Sequence, residues 1–333
     1  MNKLYLVTGA AGHLGNTVVR MLAQKGEAVR SLVLPGEQHC SAISALSEVY
    51  TGDVSDKASL KAFFTAESGA QIYVIHCAGI VSIASKFDQK VYDVNVKGTK
   101  NMIELCQEHS VRKLIYVSSV HAIPELPHGQ VIAETDRFDP ERVEGLYAKT
   151  KAEATALALK AAAQGLDVSV VHPSGICGPY DAGRGHLTQL FIDFYKGRLT
   201  AGLNGGYDFV DVRDVAAGIL ACCEKGRRGA CYILSNRYFS IPELLGIFHE
   251  VSGKRRVRTV LPLWFVRMTA PIAELYYKLL RQPPLYTVYS VYTLTSNAHF
   301  SHEKAARALG YTVRPFTQTV EDTMRWLQEQ GRI

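Results

Sequence analysis

TGAAGHLG, residues Thr8–Gly15, is the stretch of this 333-residue chain that decides its fold. It joins a short apolar run to a segment with helical periodicity. Gly9 permits a tight turn, Gly12 leaves no side chain in the path of a phosphate, and Gly15 lets the helix pack on the strand. Backbone amides at a helix N-terminus favour a bound pyrophosphate. A glycine turn of purely structural origin is the alternative, but the position between strand and helix favours a dinucleotide site.

Strand-like and helix-like segments alternate over the first half of the chain. Short continuous apolar runs such as YVIH (Tyr73–His76) are typical of strands that are buried on both faces. The alternation predicts a doubly wound α/β fold, a Rossmann sheet of parallel strands between two layers of helices. The predicted strands are Leu4–Thr8, Val29–Val33, Val49–Thr51, Ile72–His76, Lys113–Ser118 and Val168–His172, and the predicted helices are Leu14–Lys25, Lys57–Ala66, Asp88–His109 and Tyr147–Gln164.

The pattern changes after Pro173, where glycine and proline become frequent in GICGPYDAGRG. A segment with helical character follows at Ile241–Leu280. We therefore divide the chain into a dinucleotide-binding domain, 1–172, and a smaller C-terminal substrate-binding part, 173–333, interleaved with strands that return to the main sheet. For the apolar stretch Leu261–Leu280 we expect a packed helix over the substrate pocket rather than a helix on a membrane surface.

Bulk composition excludes several classes of function. The formal net charge is +6, but the basic residues are scattered, so no nucleic-acid partner is predicted and Lys254–Arg258 reads as a solvated loop. Seven cysteines without metal-ligand spacing predict no metal site and favour buried thiols in a reducing compartment. The chain enters a strand at once and has no apolar window of membrane-spanning length, which predicts a cytoplasmic protein without a membrane span.

A tyrosine and a lysine stand four residues apart in Tyr147-Ala-Lys-Thr-Lys151. Residues at this spacing share one face of a helix, so both side chains can approach one bound cofactor. An ammonium nearby stabilises a phenolate and lowers the pKa of a tyrosine from its usual value of about 10. The pair occurs by chance in many helices, but Ser119 at the end of LIYVSS adds a hydroxyl that can stabilise an oxyanion.

Further motifs follow in order, and together they resemble the extended short-chain dehydrogenase/reductase family, within the NAD-dependent epimerase/dehydratase superfamily. The resemblance implies a dinucleotide-dependent oxidoreductase that interconverts a carbonyl and an alcohol, with Ser119, Tyr147 and Lys151 catalytic and Ser118 structural. The motifs are the three-and-three glycine spacing of TGAAGHLG, TGDVSD, HCAG, NVKGT, YVSS, YAKTK, HPSGICGP, FVDVRDVA and FSHEKAARALGY.

The same resemblance implies where the cofactor contacts the chain. Asp53 corresponds to the residue at the adenine ring, HCAG to the turn along the adenosine, and Asn95 to an asparagine that shapes the active site. Lys151 would also hold the nicotinamide ribose, and the backbone of Pro173–Gly175 would face the carboxamide. The implied cofactor-binding residues are Gly9, Ala11, Gly12, His13, Leu14, Gly15, Leu34, Asp53, Val54, Cys77, Ala78, Gly79, Asn95, Val117, Tyr147, Lys151, Pro173, Ser174 and Gly175.

The end of the second strand normally selects between NAD and NADP. A carboxylate there accepts the ribose hydroxyls of NAD, whereas an arginine binds the extra phosphate of NADP. This chain carries Val33 and Leu34 at that place and has neither group. A phosphate beside Leu34 would lack its best partner, which favours NAD.

Two departures separate the chain from the nucleotide-sugar branch of the family. Leu146 stands where that branch has a proline, and His172 where it has an arginine. The remaining motifs resemble dihydroflavonol reductases and 3β-hydroxysteroid dehydrogenases, which favours a small apolar substrate. A nucleotide-sugar epimerase or dehydratase is the alternative within the family, and a non-catalytic dinucleotide-binding regulator is the alternative outside it.

Candidate substrate contacts are His121, two residues after Ser119, and Tyr207. A solitary histidine is more often an ordinary packing residue. Arg184 and Arg213 are the available cations for an anionic substrate, with ion pairing as their default role. The resemblance also implies a homodimer formed through the helices predicted at Asp88–His109 and Tyr147–Gln164.

Overall fold

A parallel sheet forms the centre of the molecule. The computed structural model describes residues 2–37, 41–66, 69–82, 87–183, 185–266, 268 and 288–333. Within that part, seven parallel strands lie in the order β10-β6-β5-β4-β1-β2-β3, so the predicted doubly wound α/β fold is confirmed. These strands are β1 (Lys3–Thr8), β2 (Ala28–Val33), β3 (Glu48–Thr51), β4 (Gln71–His76), β5 (Lys113–Val117), β6 (Val168–Pro173) and β10 (Cys231–Leu234).

Helices cover both faces of this sheet because successive strand residues point to opposite sides. In β1, Tyr5 and Val7 join one buried cluster, whereas Leu6 between them joins another. The helices are α1 (His13–Gln24), α2 (Ser41–Ser44), α3 (Lys61–Phe64), α4 (Gln89–Tyr92), α5 (Gly98–Glu108), α6 (Leu146–Ala163), α7 (His186–Tyr195), α8 (Val212–Lys225), α9 (Ile241–Ser252), α10 (Val288–Thr295), α11 (Glu303–Leu309) and α12 (Phe316–Glu329). Clusters that include α1 and α8 pack on one face, and clusters that include α5 and α6 pack on the other.

The helix predicted over Asp88–His109 is not uniform. It starts at Gln89, with the Asp88 carboxylate capping the first turn, and changes to a π-helical turn at Asp93–Lys97 before α5. A π turn widens the helix locally and is frequent at functional sites. Here it contains Asn95.

The second part of the chain builds a smaller layer beside the carboxyl edge of the sheet. One three-stranded sheet has the order β11-β9-β7, and β12 pairs with β8 in a two-stranded sheet. A separate buried cluster joins these strands to α7, α9 and α12. The strands are β7 (Gly175–Cys177), β8 (Ala201–Leu203), β9 (Gly206–Asp211), β11 (Arg237–Ser240) and β12 (Thr259–Leu261).

The helical segment predicted at Ile241–Leu280 is interrupted after Ser252: residues 253–262 are not helical, whereas 263–266 and 268 are helical and the remainder lies outside the described residues. Gly253 adopts a left-handed conformation with φ of 65°, which ends α9, and the chain then runs as an irregular loop into β12. An αL residue is the common end of a helix, and glycine adopts it without strain. Of the stretch Leu261–Leu280, only 261–266 and 268 are described, so the helix predicted over the pocket lies mostly outside the described residues. No described helix is both long and apolar enough to span a bilayer.

Candidate active site

The glycine turn leaves the start of α1 open. Gly9 has a φ of 65°, and a Cβ there would lie 2.8 Å from the backbone nitrogen of Ala78. A Cβ on Gly15 would lie 2.1 Å from the carbonyl oxygen of Gly9, so both positions exclude side chains. Gly12 caps α1 without a side-chain hydrogen bond, and the first turn has no acidic residue. The exposed dipole and free amides fit the pyrophosphate of a dinucleotide.

A buried histidine ties this turn to the HCAG turn after β4. The Thr99 hydroxyl donates to the Asn95 carbonyl, so it accepts from Nε2 of His76 at 3.2 Å. Nδ1 of His76 then accepts from the Thr8 hydroxyl at 2.7 Å, and Thr8 Oγ1 accepts from the Ala78 amide at 3.1 Å. Burial lowers the pKa of His76 to about 3, so the ring is neutral and this pattern is fixed.

The Asn95 side chain joins the HCAG turn to the helix that carries the catalytic pair. Its Oδ1 accepts from the amide of Ile80 at 2.8 Å, and its Nδ2 donates to the Ile80 carbonyl at 3.0 Å. The same Nδ2 donates to the Thr150 hydroxyl at 3.1 Å, and Thr150 in turn donates to the carbonyl of Tyr147. Asn95 therefore positions α6 against the turn that faces the cofactor site.

The structure brings Ser119, Tyr147 and Lys151 together in a buried site at the carboxyl edge of β5. The Lys151 ammonium donates to the Val117 carbonyl at 2.8 Å, and burial lowers its pKa to about 8. Burial raises the pKa of Tyr147, and a hydrogen bond with Ser119 opposes that rise. In the protein without cofactor, burial is the larger effect and the pKa of Tyr147 lies above its usual value.

The two serines after β5 have different partners. Ser119 caps the 3₁₀ turn Val120–Ala122, and its Oγ accepts from the His121 amide at 3.2 Å. The Ser118 hydroxyl is 2.7 Å from the Thr155 hydroxyl inside the core. Only Ser119 shares the site with Tyr147, whereas Ser118 holds α6 against the strand.

One contact that holds Ser119 in place, a hydrogen bond from His172, was not predicted from the sequence. Nδ1 of His172 donates to the Ser119 carbonyl at 3.0 Å, and the ring stacks on Phe138 with an interplanar angle of 3°. Burial lowers the pKa of His172 to about 4, so the ring is neutral. Since Nδ1 carries the hydrogen, Nε2 is an acceptor, and it is buried without a hydrogen-bond partner among the described residues. His172 thus uses its single N–H donor to hold the loop that carries Ser119.

Replacing His172 with leucine is expected to lower kcat roughly tenfold, because the loss of one buried hydrogen bond costs about 1 kcal/mol and displaces Ser119. His172→Asn should restore most of the activity, since the amide nitrogen of asparagine can take the place of Nδ1. His172→Gln, whose donor lies one bond further out, is the matched control and should rescue less. Equal activity of the leucine and asparagine variants would contradict the positioning role, and steady-state kinetics with fixed cofactor checks it.

The residues expected around the adenosine lie at the adjoining ends of β2 and β3. Val54 is buried, and Oδ1 of Asp53 accepts from the amide and hydroxyl of Ser55, which fixes the carboxylate just after β3. Leu34 is 49% exposed at the end of β2, and its amide donates to the Glu37 carboxylate at 3.0 Å. The sequence analysis missed Glu37. A carboxylate at this position suits ribose hydroxyls and repels a phosphate.

The protein is expected to bind NADH at least about tenfold more tightly than NADPH, and Leu34→Arg should reverse much of this preference by supplying a phosphate partner. The measurement is fluorescence titration of both reduced cofactors. Leu34→Gln, which adds polarity without charge, is the control and should leave the ratio of dissociation constants nearly unchanged. A wild-type protein that prefers NADPH would contradict the assignment.

The Pro173–Gly175 segment, which the resemblance places beside the nicotinamide, packs against β9. The Ser174 hydroxyl donates to Oδ1 of Asp208 at 2.5 Å, which commits this side chain to β9. Burial raises the pKa of Asp208 to about 6. A Cβ on Gly175 would lie 2.9 Å from the Asp208 carbonyl, so β7 packs against β9 at a distance that only glycine allows.

A cavity of about 70 Å³ lies beside the catalytic helix. His121 and Tyr207, the candidate substrate contacts, are on its wall, with the histidine Nε2 and the tyrosine hydroxyl 3.0 Å apart. The His121 ring also meets Tyr147 edge-on, at 5.9 Å between centroids. The further lining residues are Val120, Ile123, Glu125, Ile132, Arg142, Val143, Glu144, Ala148, Tyr292, Thr293, Ser296, Asn297 and Phe300.

Of the two cations named for an anionic substrate, Arg213 does not line this cavity. Arg213 pairs with Asp211 and Asp322, both at 2.7 Å, which is the default role expected for it. Arg184 lies outside the described residues. The cavity wall instead includes Arg142, which the sequence analysis did not single out. Residues from both parts of the chain form the wall.

Metal-binding groups of three or more His, Cys, Asp or Glu side chains are absent from the described residues. The six cysteines in that part are all free thiols, and five of them are buried. Cys77, in the HCAG turn, is partly exposed, and burial of its thiol raises its pKa to about 12. This thiol is therefore not a nucleophile at neutral pH.

Comparison with known proteins agrees with this site. The family model described as "NAD dependent epimerase/dehydratase family" matches residues 5–235. Sterol demethylase protein B of Methylococcus capsulatus is 31% identical over 98% of this chain and 99% of its own. Human 3 beta-hydroxysteroid dehydrogenase type 7 is 32% identical, covering 92% of this chain and 90% of its own. The solved structure of gox2253 superimposes with a TM-score of 0.85 at 29% identity, covering 100% of both chains.

The resemblance stated from the motifs is therefore confirmed, including its dihydroflavonol reductase and 3β-hydroxysteroid dehydrogenase character. The glycine turn, the serine–tyrosine–lysine site and the matched span of more than half of the chain agree with one another. The chain belongs to the NAD-dependent epimerase/dehydratase family, as an enzyme of the extended short-chain dehydrogenase/reductase type.

Proposed function

We propose that this enzyme interconverts a ketone or aldehyde and an alcohol on a small apolar substrate, with NAD as cofactor. The observation that carries the proposal is the burial of Ser119, Tyr147 and Lys151 in one site, where the Ser119 hydroxyl opposes the effect of burial on the pKa of Tyr147. Two hydroxyls that meet in this way can both contact one substrate oxygen.

The residues act on that oxygen as follows. NADH, when bound, would supply the hydride that the carbonyl carbon accepts. Ser119 donates a hydrogen bond to the carbonyl oxygen, and Tyr147 transfers its phenolic proton to it, which completes the alcohol. Burial raises the pKa of Tyr147, so the tyrosine holds this proton at neutral pH, as reduction requires. Lys151 limits the cost of the phenolate left behind, which accepts a proton from the alcohol in the reverse direction.

Two observations support an apolar substrate. The cavity wall includes the side chains of Val120, Ile123, Ile132 and Phe300. Relatives carry names that refer to sterols and hydroxysteroids. Ser119, Tyr147 and Lys151 do not line this cavity of about 70 Å³, so it would receive a part of the substrate next to the reacting carbonyl. Arg142 and Glu144 are among the polar groups on the same wall that would meet substituents on the substrate.

The experiment is to mix the purified protein with NADH or NADPH and add ketones, aldehydes, steroids and sugar nucleotides in turn. Loss of NADH absorbance with an apolar carbonyl is the expected result. Turnover of sugar nucleotides without net change in the cofactor would instead assign the chain to the epimerase alternative. Two results together would assign the chain to the regulator alternative. The protein would bind cofactor but turn over none of these compounds, and a Tyr147→Phe variant would keep the full biological effect of the protein.

We also propose a homodimer formed through α5 and α6, and a cytoplasmic location. The dimer rests on the resemblance, because most alanines of α6 are already buried within the single chain. Free cysteines throughout the described residues agree with a reducing compartment. Sedimentation velocity that gives the mass of one 36.7 kDa chain would contradict the dimer.

A further inference from the structure

A second surface feature lies away from the catalytic site, at residues 254–268. Trp264 is 67% exposed, Met268 57% and Val260 45%. The indole of Trp264 meets the Phe265 ring edge-on at 5.8 Å, so the aromatic groups stand side by side. Large apolar side chains grouped at a surface mark a site of interaction with a partner or membrane.

Basic side chains flank this apolar group. Arg255, Arg256 and Arg258 are exposed, and none of them makes an ion pair with another described residue. The neighbouring Lys254 places its ammonium over the Tyr195 ring, 4.2 Å from the centroid. The sequence contains no acidic residue between Val251 and Ala273. The positive charge of this segment is therefore not neutralised by carboxylates of the same segment.

The exposed side chains stand on an anchored backbone. β12 pairs in parallel with β8, in the register that sets Val260 opposite Gly202. The amides of Phe265 and Val266 both donate to the Pro262 carbonyl, and Val266 is only 2% exposed. Val266 thus holds the turn to the protein while Trp264 projects from it. The exposed side chains therefore belong to a defined turn of the backbone.

We propose that Arg255, Arg256, Arg258, Val260, Trp264, Phe265 and Met268 form a docking surface for an anionic lipid bilayer, here called the basic apolar surface. Tryptophan sits at the level of the lipid headgroups, with its ring in the apolar boundary and its N–H in water. Apolar side chains insert just below that level, and arginines beside them attract anionic headgroups. The association is peripheral.

A bilayer fits this surface better than a nucleic acid does. Nucleic acids are bound by basic side chains with aromatic rings stacked on bases. They offer nothing to exposed aliphatic side chains such as Met268 and Val260, whereas the acyl region of a bilayer does. The proposal is independent of the reaction assigned to Tyr147, so either can fail without the other.

The chain offers a spectroscopic test, because it contains only two tryptophans. In a Trp326→Phe variant of the full-length protein, Trp264 is the sole indole. Vesicles of phosphatidylcholine with about one-third phosphatidylglycerol should shift its emission to shorter wavelength and sediment with the protein. Pure phosphatidylcholine vesicles should bind much more weakly, and salt should weaken binding to the anionic vesicles. Unchanged emission with anionic vesicles would overturn the proposal.

Variants distinguish binding through the basic apolar surface from binding through the overall charge of the protein. Arg255→Glu with Arg256→Glu should lower partition into anionic vesicles at least about tenfold, since each basic residue near an anionic surface contributes severalfold. Lys25→Glu with Lys61→Glu makes the same change in net charge at exposed positions outside the proposed dimer helices and should have little effect. Trp264→Ser with Met268→Ser should also lower partition, with retained NADH binding as proof of folding. Equal losses in the arginine and lysine variants, or a dimer that depends on Trp264 in sedimentation velocity, would overturn the proposal.

Discussion

Replacing Tyr147 with phenylalanine is expected to lower kcat for carbonyl reduction by at least about a thousandfold, because the change removes the proton donor while the ring stays in place. The ring packs edge-on against His121, and phenylalanine retains that contact. The glycine turn, the HCAG turn and Lys151 do not depend on the phenolic hydroxyl. NADH affinity should therefore stay within about twofold of the wild-type value.

The measurement combines steady-state kinetics with cofactor titration. Tyr50→Phe is the matched control, since it removes the same atom from a tyrosine whose hydroxyl donates to Glu48 at the sheet edge. That variant should keep its kcat. A Tyr147→Phe enzyme that retains kcat would exclude the tyrosine as proton donor and would leave Ser119 or a water molecule in that role.

The central sheet could be predicted because its signals are local. Most strands of the first half are short apolar runs, as burial on both faces demands, whereas the edge strand β3 is partly exposed. The roles of Gly9 and Gly15 could also be predicted from local sequence, because the turn excludes any Cβ at these positions. The helix was predicted to continue past Ser252 because the local signals conflict there. Helical periodicity continued in the sequence, but Gly253 and the valines after it favour a helix end and a strand.

The site was predicted less completely because several of its contacts join distant parts of the chain. His172 and Ser119 are 53 residues apart, and no pattern in the sequence connects a strand residue to a loop carbonyl. The π turn at Asn95 depends on hydrogen bonds to Ile80 and Thr150, which only the folded chain brings near. Arg142 is an ordinary loop residue in sequence. It becomes a wall of the cavity only when β9 and α10 pack beside it.

The histidines of the site lead to the second prediction, a steep loss of stability in mild acid. Burial lowers the pKa of His76 to about 3, and those of His121 and His172 to about 4. Burial also lowers the pKa of His13, with the nearby Asp181 carboxylate opposing the shift. In the unfolded chain each ring titrates near 6.5. Between about pH 6.5 and 4, the unfolded chain therefore binds protons that the folded chain does not.

The sign of the effect follows directly. Stability is fully present above pH 6.5 and is lost as the pH falls toward 4, by up to about 3 kcal/mol for each of these buried rings. Burial raises the pKa of Asp208 to about 6, so this carboxyl takes up its proton in the folded protein first and acts in the opposite direction. One such carboxyl does not cancel several histidines. Because a domain is stable by only about 5–15 kcal/mol, the protein should unfold before pH 4 is reached.

Urea denaturation at several pH values between 7.5 and 4.5 measures this effect as a falling free energy of unfolding. His172→Asn supplies the internal control, since it keeps the hydrogen bond to Ser119 but removes one titrating ring. The slope of the unfolding free energy against pH should fall by about one proton in that variant, because the slope counts the difference in bound protons. A flat profile between pH 7 and 5 would mean that these rings reach solvent in the folded protein. The buried hydrogen bonds that join Thr8, His76 and Thr99 would then not hold the glycine turn against the HCAG turn.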